Sequence, residues 1–204
     1  MSVEHIEVIV EEPSMETALR ALLPRIVGNV SFEVYRHLSK DELLERLPSR
    51  LCGYAKWLPA NWRVVVVVDR DDDDCHELKA RLEKMAADAN LLTRTAARGQ
   101  PHRVVNRLAI EELEAWYFGE WDAVRIAYPR LPGTIPARKG YRDPDAIKGG
   151  TWEALERIML KSGYFRGGLR KIELAGMVAP NMDPARNASS SFKAFSAALA
   201  DMVQ

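Results

Sequence analysis

The stretch Val64-Val65-Val66-Val67-Val68-Asp69-Arg70-Asp71-Asp72-Asp73-Asp74 decides how this chain folds. Five consecutive valines favour a strand buried on both faces, because β-branched side chains suit a pleated strand and a central parallel strand has no polar face. Five carboxylates follow within six residues. Since ligands of open α/β sheets bind at the carboxyl ends of the strands, the sequence predicts a site there.

Carboxylates this close together repel one another unless a cation lies among them or water screens them. A divalent metal ion is the simplest such cation. Hard oxygen ligands suit Mg²⁺ or Mn²⁺ better than zinc, and Mg²⁺ held by a few carboxylates is the usual arrangement for phosphoryl chemistry. The acidic run therefore predicts a magnesium or manganese site.

Length and composition limit the class of protein. A chain of 204 residues with 47% hydrophobic residues suits one large domain, or a domain with a small appendage. The 29 basic and 29 acidic residues cancel, so any contact with nucleic acid must be local or supplied by a partner. We expect a soluble, cytoplasmic protein. The two cysteines suit a reduced compartment, and we find neither a signal peptide nor an apolar stretch of membrane-spanning length.

Strand and helix patterns alternate along the chain. The predicted strands cover residues 5–10, 30–36, 62–68, 91–95 and 102–110. The predicted helices cover residues 15–27, 39–53, 75–89, 111–118, 151–162, 169–177 and 192–203. We expect Ser14 to cap the first helix, Pro24 to kink or shorten it, and Pro48 to interrupt the second.

This order predicts a compact α/β unit with a mostly parallel sheet flanked by helices. After Glu120 the chain becomes rich in proline and glycine, and helices follow. We therefore predict an α/β domain at residues 1–120 and a helical C-terminal region at residues 121–204 packed on it.

Acidic residues stand at three comparable places in this order. Glu11 ends the first strand, Asp69 and Asp71 end the central strand, and an acidic group at 111–114 opens the helix after the last strand. Neighbouring parallel strands bring their carboxyl ends together, so we expect these side chains to converge on one cleft.

The remaining acids have competing interpretations. Helical spacing places Glu111 and Glu114 on one face and turns Glu112 away, although first-turn carboxylates also stabilise the helix dipole. One of the three aspartates at 72–74 caps the next helix, and Asp73 is a possible further ligand while the others are solvated.

Several motifs in order carry a family resemblance. Val-Glu-Glu-Pro-Ser at 10–14 and Val-Asp-Arg-Asp at 68–71 resemble the Toprim signature of topoisomerases, primases and overcoming-lysogenization-defect nucleases. Nearly the whole chain resembles the bacterial Toprim-like family catalogued as domain of unknown function 4276. The further motifs that carry this resemblance are Ile-Glu-Glu-Leu-Glu-Ala-Trp at 110–116, Lys-Gly-Gly-Thr-Trp-Glu at 148–153 and Ser-Phe-Lys-Ala-Phe at 191–195.

The resemblance implies a Toprim-like (Rossmann-like) fold with a metal site. By motif position Glu11 would be the general acid/base or a ligand, Asp69 and Asp71 the metal ligands, and Glu114 a further catalytic acid. Glu12 stands where many Toprim proteins have glycine, so it could join the metal site or point away. Families of this kind often adjoin an ATPase in bacterial defence loci, which implies an ATPase partner.

Two groups of basic residues could contact nucleic acid. Arg103 and Arg107 share a face of an extended segment and could line a phosphate path, or they are solvated or paired to the acidic loop. Lys139, Arg142 and Lys148 lie among aromatic residues, in a patch that could contact a nucleic-acid backbone or, equally, a partner protein.

The leading hypothesis is a Mg²⁺-dependent, Toprim-type phosphodiesterase or nuclease that acts on DNA or RNA as the effector of an ATPase-partnered defence system. The alternative is a non-catalytic regulatory or sensor subunit that binds metal or nucleotide without turnover. A nucleotidyl transferase would need a nucleophilic tyrosine, and no tyrosine stands out. A homo-oligomer is compatible with the sequence.

Overall fold

The computed structural model describes residues 2–204 and places a parallel sheet between two layers of helices. The strands are β1 (His5–Val10), β2 (Ser31–Arg36), β3 (Trp62–Asp69) and β4 (Val104–Ala109). The helices are α1 (Pro13–Val27), α2 (Lys40–Trp57), α3 (Cys75–Asp88), α4 (Arg94–Ala97), α5 (Leu113–Gly119), α6 (Trp121–Ala127), α7 (Thr151–Lys161), α8 (Lys171–Val178) and α9 (Ser190–Val203). Short 3₁₀ turns lie at Pro144–Ala146 and Ala179–Asn181.

The order of the strands creates a crevice between β1 and β3. The sheet runs β2-β1-β3-β4, and every neighbouring pair is parallel. From β1 the chain first steps outward to β2 and then returns to the other side of β1 to form β3. Ligands of open α/β sheets bind at such a switch point, outside the carboxyl ends of the strands. The α/β fold with a parallel sheet, predicted from the sequence, is confirmed.

The five-valine segment forms the centre of the sheet, as predicted. All five valines have 0% exposure. Val65 and Val67 pack on the face covered by α1 and α9, whereas Val64, Val66 and Val68 pack on the face covered by α2 and α3. The alternation explains why the run has no polar position: each face of β3 lies under a helix layer.

The C-terminal region completes the core on one face of the sheet. Residues from both sides of Glu120 belong to a single apolar cluster. Trp116 of α5 packs against Phe192 and Phe195 of α9, with ring centroids 5.1 Å apart in each pair. Its indole N–H donates to Ser191 Oγ at 3.0 Å, so the one polar atom of this buried ring is satisfied.

The predicted strand at 91–95 is wrong. Within the described chain this segment makes an isolated bridge between Thr93 and Val104, and α4 follows at once. The Thr93 side chain accepts a hydrogen bond from the backbone N–H of Ala96 at 3.2 Å. A residue that caps a helical turn favours helix over strand, so local capping overrides the β-branched signal.

The expected shortening of α1 at Pro24 and the expected interruption of α2 at Pro48 are also wrong. α1 continues through Pro24 to Val27, and α2 continues through Pro48 to Trp57. Buried apolar side chains on both sides of each proline, Leu23 and Val27 in α1 and Leu47 and Leu51 in α2, hold the helices together, because tertiary packing outweighs one lost backbone hydrogen bond. Ser14 is not the cap of α1: Pro13 is the first helical residue, and the Ser14 hydroxyl donates to the Glu12 carboxylate.

None of the helices in residues 2–204 combines the length and the apolar character that a bilayer crossing requires.

Candidate active site

Glu11 and Asp69 meet at the carboxyl edge of the sheet. Glu11 is the residue after β1, and Asp69 is the last residue of β3. The backbone N–H of Asp69 donates to Glu11 Oε2 at 3.0 Å, across the switch point between the two strands. Their exposed fractions are only 7% and 2%. The structure thus brings together two acids that are 58 residues apart in the chain.

Both carboxyl groups lie where their ionised forms are disfavoured. Asp69 Oδ1 is buried and has no hydrogen-bond partner in the described part of the chain. Burial raises the pKa of Asp69 well above its ordinary value, and the charge of Glu11 raises it further. Burial also raises the pKa of Glu11 to about 7, although the hydrogen bond from Asp69 acts in the opposite direction. Two buried acids with one orphaned oxygen are suited to bind a cation.

Asp71 and Asp73 face a lysine. Lys40 Nζ lies 2.6 Å from Asp71 Oδ2 and 2.8 Å from Asp73 Oδ2, and it donates to the carbonyl of Arg70 at 3.1 Å. Asp71 has a left-handed backbone (φ 49), and its N–H donates to the carbonyl of Glu111 at 2.8 Å. Lys40 therefore compensates the charges of Asp71 and Asp73.

The end of the acidic run has a structural role. Asp74 caps α3 by accepting hydrogen bonds from the backbone N–H groups of His76 and Glu77, at 2.8 and 3.0 Å. The exposed carboxylate of Asp72 makes no hydrogen bond or ion pair within residues 2–204. Asp71 and Asp73 thus share Lys40, Asp74 caps a helix, and Asp72 provides a matched reference for these acids.

The acids at 111–114 separate more than helical spacing predicts. α5 begins at Leu113, because Glu111 has a left-handed backbone (φ 63) and Glu112 is extended. The expectation that Glu111 and Glu114 share a helical face is therefore wrong. Glu111 pairs with Arg70, whereas Glu112 accepts hydrogen bonds from the start of α7, each at 2.9 Å.

Glu114 is the most deeply buried acid of this group. Its exposure is 0%, and neither carboxyl oxygen has a hydrogen-bond partner among the described residues. Burial raises its pKa to about 7, while Lys171 lowers it and the neighbouring Glu112 and Glu12 raise it. Its charge also contributes to the raised pKa of Asp69.

Lys171, the first residue of α8, faces these acids from the C-terminal region. Its Nζ is 3.9 Å from Glu12 Oε1 and 5.6 Å from the centre of the Trp152 ring. Although burial lowers the pKa of Lys171, the negative charges of Glu114 and Glu12 raise it above its ordinary value. The lysine is the counter-charge of an otherwise uncompensated group of carboxylates.

Sequence reasoning missed both lysines. Lys40 follows β2, which lies beside β1, so the rule that predicts the acids would also have found it. Lys171 follows the irregular segment before α8, where no pattern indicates a neighbour. It could be found only from the folded chain.

These acids and lysines surround a cavity of about 480 Å³. Its charged lining residues are Glu11, Glu12, Lys40, Asp41, Asp69, Asp71, Asp73 and Lys171. As the side chains stand, no three His, Cys, Asp or Glu groups of residues 2–204 are placed to hold a metal ion, and Asp71 and Asp73 face Lys40 instead. The oxygen-rich donor set and the orphaned oxygen of Asp69 nevertheless suit a hard divalent cation.

The predicted basic patch forms an open cavity of its own, of about 620 Å³. Lys139, Arg142 and Lys148 are exposed in its lining, and Arg157 of α7, which sequence reasoning missed, joins them. Tyr141 stacks on Phe118, with 5.5 Å between ring centroids, so one face of its ring already has a partner.

Arg103 and Arg107 do not line the acidic cavity. Arg103 lies before β4, at the amino end of the sheet, and donates to the carbonyls of Leu58 and Pro59 at 2.9 Å each. Arg107 lies within β4 and is partly buried, with a buried Nε that has no hydrogen-bond partner in residues 2–204.

Comparison with known proteins gives one finding. No curated protein and no solved structure matches the chain. The family described as "Domain of unknown function (DUF4276)" matches residues 10–200, nearly the entire sequence. The chain, with its switch-point acids inside that range, belongs to the DUF4276 family.

Proposed function

We propose that this protein is a Mg²⁺-dependent phosphodiesterase of the Toprim type, a nuclease that cleaves DNA or RNA. One observation carries the proposal. The hydrogen bond from the Asp69 N–H to Glu11 holds two buried carboxyl groups together at the switch point of a parallel sheet, and Asp69 Oδ1 has no protein partner within the described residues.

Glu11 and Asp69, with Asp71, would hold the Mg²⁺ or Mn²⁺ ion. When bound, such an ion supplies Lewis-acid polarisation of a phosphoryl oxygen and charge neutralisation. Asp69 brings the unpartnered oxygen, and Glu11 is kept in place by the backbone of β3. Asp71 becomes available only when it exchanges its ion pair with Lys40.

The two lysines would bind the phosphate. Lys40 and Lys171 line the same cavity as the acids, on α2 and α8 respectively. An ammonium group is a mobile point charge that binds phosphate oxygens without a fixed geometry. This property suits the sugar-phosphate backbone of a nucleic acid that lies across the site. The pKa of Glu11, raised to about 7 by burial, makes this carboxyl able to accept or donate a proton near neutral pH.

A partner would supply affinity for the substrate. The formal net charge is zero, so the chain has little long-range attraction for a polyanion. The exposed cluster of Lys139, Arg142, Lys148 and Arg157 gives a local contact with nucleic acid or with that partner. We infer a cytoplasmic ATPase of a bacterial defence system as the partner.

Cleavage assays with matched acid variants test the proposal. The protein, alone and with its ATPase partner, is incubated with labelled single- and double-stranded DNA and with RNA, in Mg²⁺, Mn²⁺ or EDTA. Cleavage should require the metal and fall by at least about 10³-fold in Asp69→Asn and Glu11→Gln, because the ligands and the proton-transfer group are lost. Asp72→Asn should retain full activity, because its carboxylate makes no contact within the described chain. Equal cleavage by Asp69→Asn and the unmodified protein would contradict the proposal.

A regulatory subunit is the second candidate, and the position of Lys40 favours it. An ammonium group that already pairs with Asp71 and Asp73 occupies the place of a metal ion. In that case no substrate would be cleaved under any condition, and the complex with the ATPase would assemble equally well with Asp69→Asn. Loss of ATPase regulation in that variant would then identify the cavity as a sensor.

A further inference from the structure

A second charged cavity lies at the opposite end of the sheet. It has a volume of about 610 Å³ and lies where the amino ends of β3 and β4 meet the end of α9. Its basic lining residues are Arg63, Arg94, Arg98 and His102. Asp201 is the single acidic side chain that lines it within residues 2–204.

The basic side chains are held in place by the protein. Arg63, which is 8% exposed, donates to the carbonyls of Ala60 and Trp62 at 2.8 and 2.9 Å. Arg94 Nε lies 3.0 Å from Asp201 Oδ2. Two of the arginines around this cavity are therefore positioned before any ligand arrives, which lowers the entropic cost of binding.

The positive charge of this cavity exceeds its negative charge. The three guanidinium groups, which stay protonated at any physiological pH, outnumber the carboxylates of the lining, those of the Asp201 side chain and of the terminal residue Gln204. Burial lowers the pKa of His102, and the charges of Arg63 and Arg94 lower it further, so the imidazole is neutral near pH 7. Its Nε2 has no hydrogen-bond partner among the described residues.

We propose that this cavity is a binding site for a small phosphate monoester, independent of the acidic site at the other end of the sheet. Guanidinium groups bind phosphate through paired hydrogen bonds, and a phosphate monoester carries about −1.5 to −2 charges at pH 7. That charge offsets the excess of positive charge that the three arginines give this cavity.

The size and lining of the cavity match a nucleotide-sized ligand. Ligand pockets in proteins have volumes of roughly 300 to 1,000 Å³. Val3, Pro101 and Met202 line the same cavity and offer apolar contacts to the part of the ligand beyond its phosphate. We therefore expect a monoester with an organic group to bind more tightly than inorganic phosphate.

Calorimetric titration of the full chain in EDTA tests this site. The probes are adenosine 5′-monophosphate, inorganic phosphate and adenosine, the last without a phosphate. We expect the monophosphate to bind most tightly, inorganic phosphate about tenfold more weakly, and adenosine not at all. Arg98→Gln and Arg94→Gln should each weaken binding of the monophosphate by about tenfold, since each removes a charge-assisted hydrogen bond.

Asp201→Asn separates ligand binding from folding. It breaks the same ion pair as Arg94→Gln, yet it should tighten binding about threefold, because it removes the opposing carboxylate. Arg46→Gln, on an exposed turn of α2 outside the cavity, is the control and should change nothing.

Unchanged affinity in Arg98→Gln, equal binding of adenosine and its monophosphate, or weaker binding in Asp201→Asn would each overturn the proposal. Lys171→Met tests the other end of the sheet. If this variant alone abolishes binding, the phosphate lies in the acidic cavity and the proposed site is wrong, whereas unchanged affinity supports it.

Discussion

The two ends of one sheet carry opposite charges and hold them in different ways. At the carboxyl end Glu11, Asp69 and Glu114 are buried, and oxygens of the last two lack hydrogen-bond partners within residues 2–204. At the amino end Arg63 and Arg94 are fixed by carbonyls and by a carboxylate. A formal net charge of zero thus conceals two separated, charged sites.

The difference shows how each residue type tolerates crowding. A buried carboxyl group can take up a proton, so its pKa rises when neighbouring charges and burial disfavour the anion. Arginine keeps its charge and needs acceptors in fixed positions. The buried acids of the carboxyl end therefore contribute a pH-dependent free energy that the arginines of the amino end do not, and variants of the two residue types should respond differently to pH.

Glu114→Gln should produce the largest effect on stability. The pKa of Glu114 is about 7 in the folded protein, against 4.5 as its ordinary value. Between these values the folded state retains a proton that the unfolded state has lost, so the free energy of unfolding falls as the pH rises, by about 3 kcal/mol in total. Glutamine removes this penalty, and urea unfolding at pH 9 should show a gain of that size.

The gain from Glu114→Gln should nearly vanish at pH 4.5, where the carboxyl group is protonated in the folded state. Glu45→Gln, at an exposed position of α2, is the control and should change the free energy of unfolding by less than about 0.5 kcal/mol at either pH. A pH-independent effect of Glu114→Gln would show that Glu114 acts through packing and not through its charge.

Lys171→Met should have the next largest effect, in the opposite direction. Loss of the ammonium group leaves Glu114 and Glu12 without their counter-charge. We expect the free energy of unfolding at pH 8 to fall by about 2 kcal/mol, less than for a fully buried pair because the lysine is partly exposed.

The double variant Lys171→Met/Glu114→Gln checks this explanation. It should recover most of the stability lost in Lys171→Met, since the charge that needed compensation is gone. Lys161→Met, at an exposed position of α7, controls for the loss of a surface lysine. If the change in the free energy of unfolding of the double variant equals the sum of the two single changes, the two side chains act independently.

These charges show how far the sequence predicts the site. The valine run and the acids after β1 and β3 follow from local patterns, and parallel pairing then brings Glu11 to Asp69. The burial of Glu114 and the approach of Lys171 depend on the packing of α5 and α8, which join segments far apart in the chain. No residue pattern of either segment encodes that contact.

The limits of the fold prediction have a similar origin. Thr93 has a β-branched side chain, which favours a strand, but its hydroxyl accepts a hydrogen bond from the helical turn that follows. Pro24 and Pro48 break isolated helices, but their helices are packed along the sheet. In each case a contact outside the local pattern decides the structure.

The variant Lys40→Gln tests whether the lysine competes with a metal ion at the carboxyl end of the sheet. Removal of Lys40 frees Asp71 and Asp73, so we expect Mn²⁺ to bind about tenfold more tightly, as measured by calorimetry or by electron paramagnetic resonance. Lys56→Gln, at the exposed end of α2, should leave the affinity unchanged. Weaker binding of Mn²⁺ to Lys40→Gln would instead mean that the lysine positions Asp71. If Mn²⁺ binds neither to the unmodified protein nor to Lys40→Gln, the proposed metal site is contradicted.

Asp74→Ala should have the smallest effect, and it tests whether the acidic run is one unit. Asp74 caps α3 through two backbone hydrogen bonds, so its loss should lower the free energy of unfolding by a small but measurable amount. Asp72→Ala, two residues away and equally acidic, should cost nothing because its carboxylate has no partner within the described chain. Equal losses in the two variants, measured by urea unfolding, would mean that the run stabilises the protein through its total charge. Unequal losses would assign each carboxylate its own contact, as the separate partners of Asp71 and Asp74 already indicate.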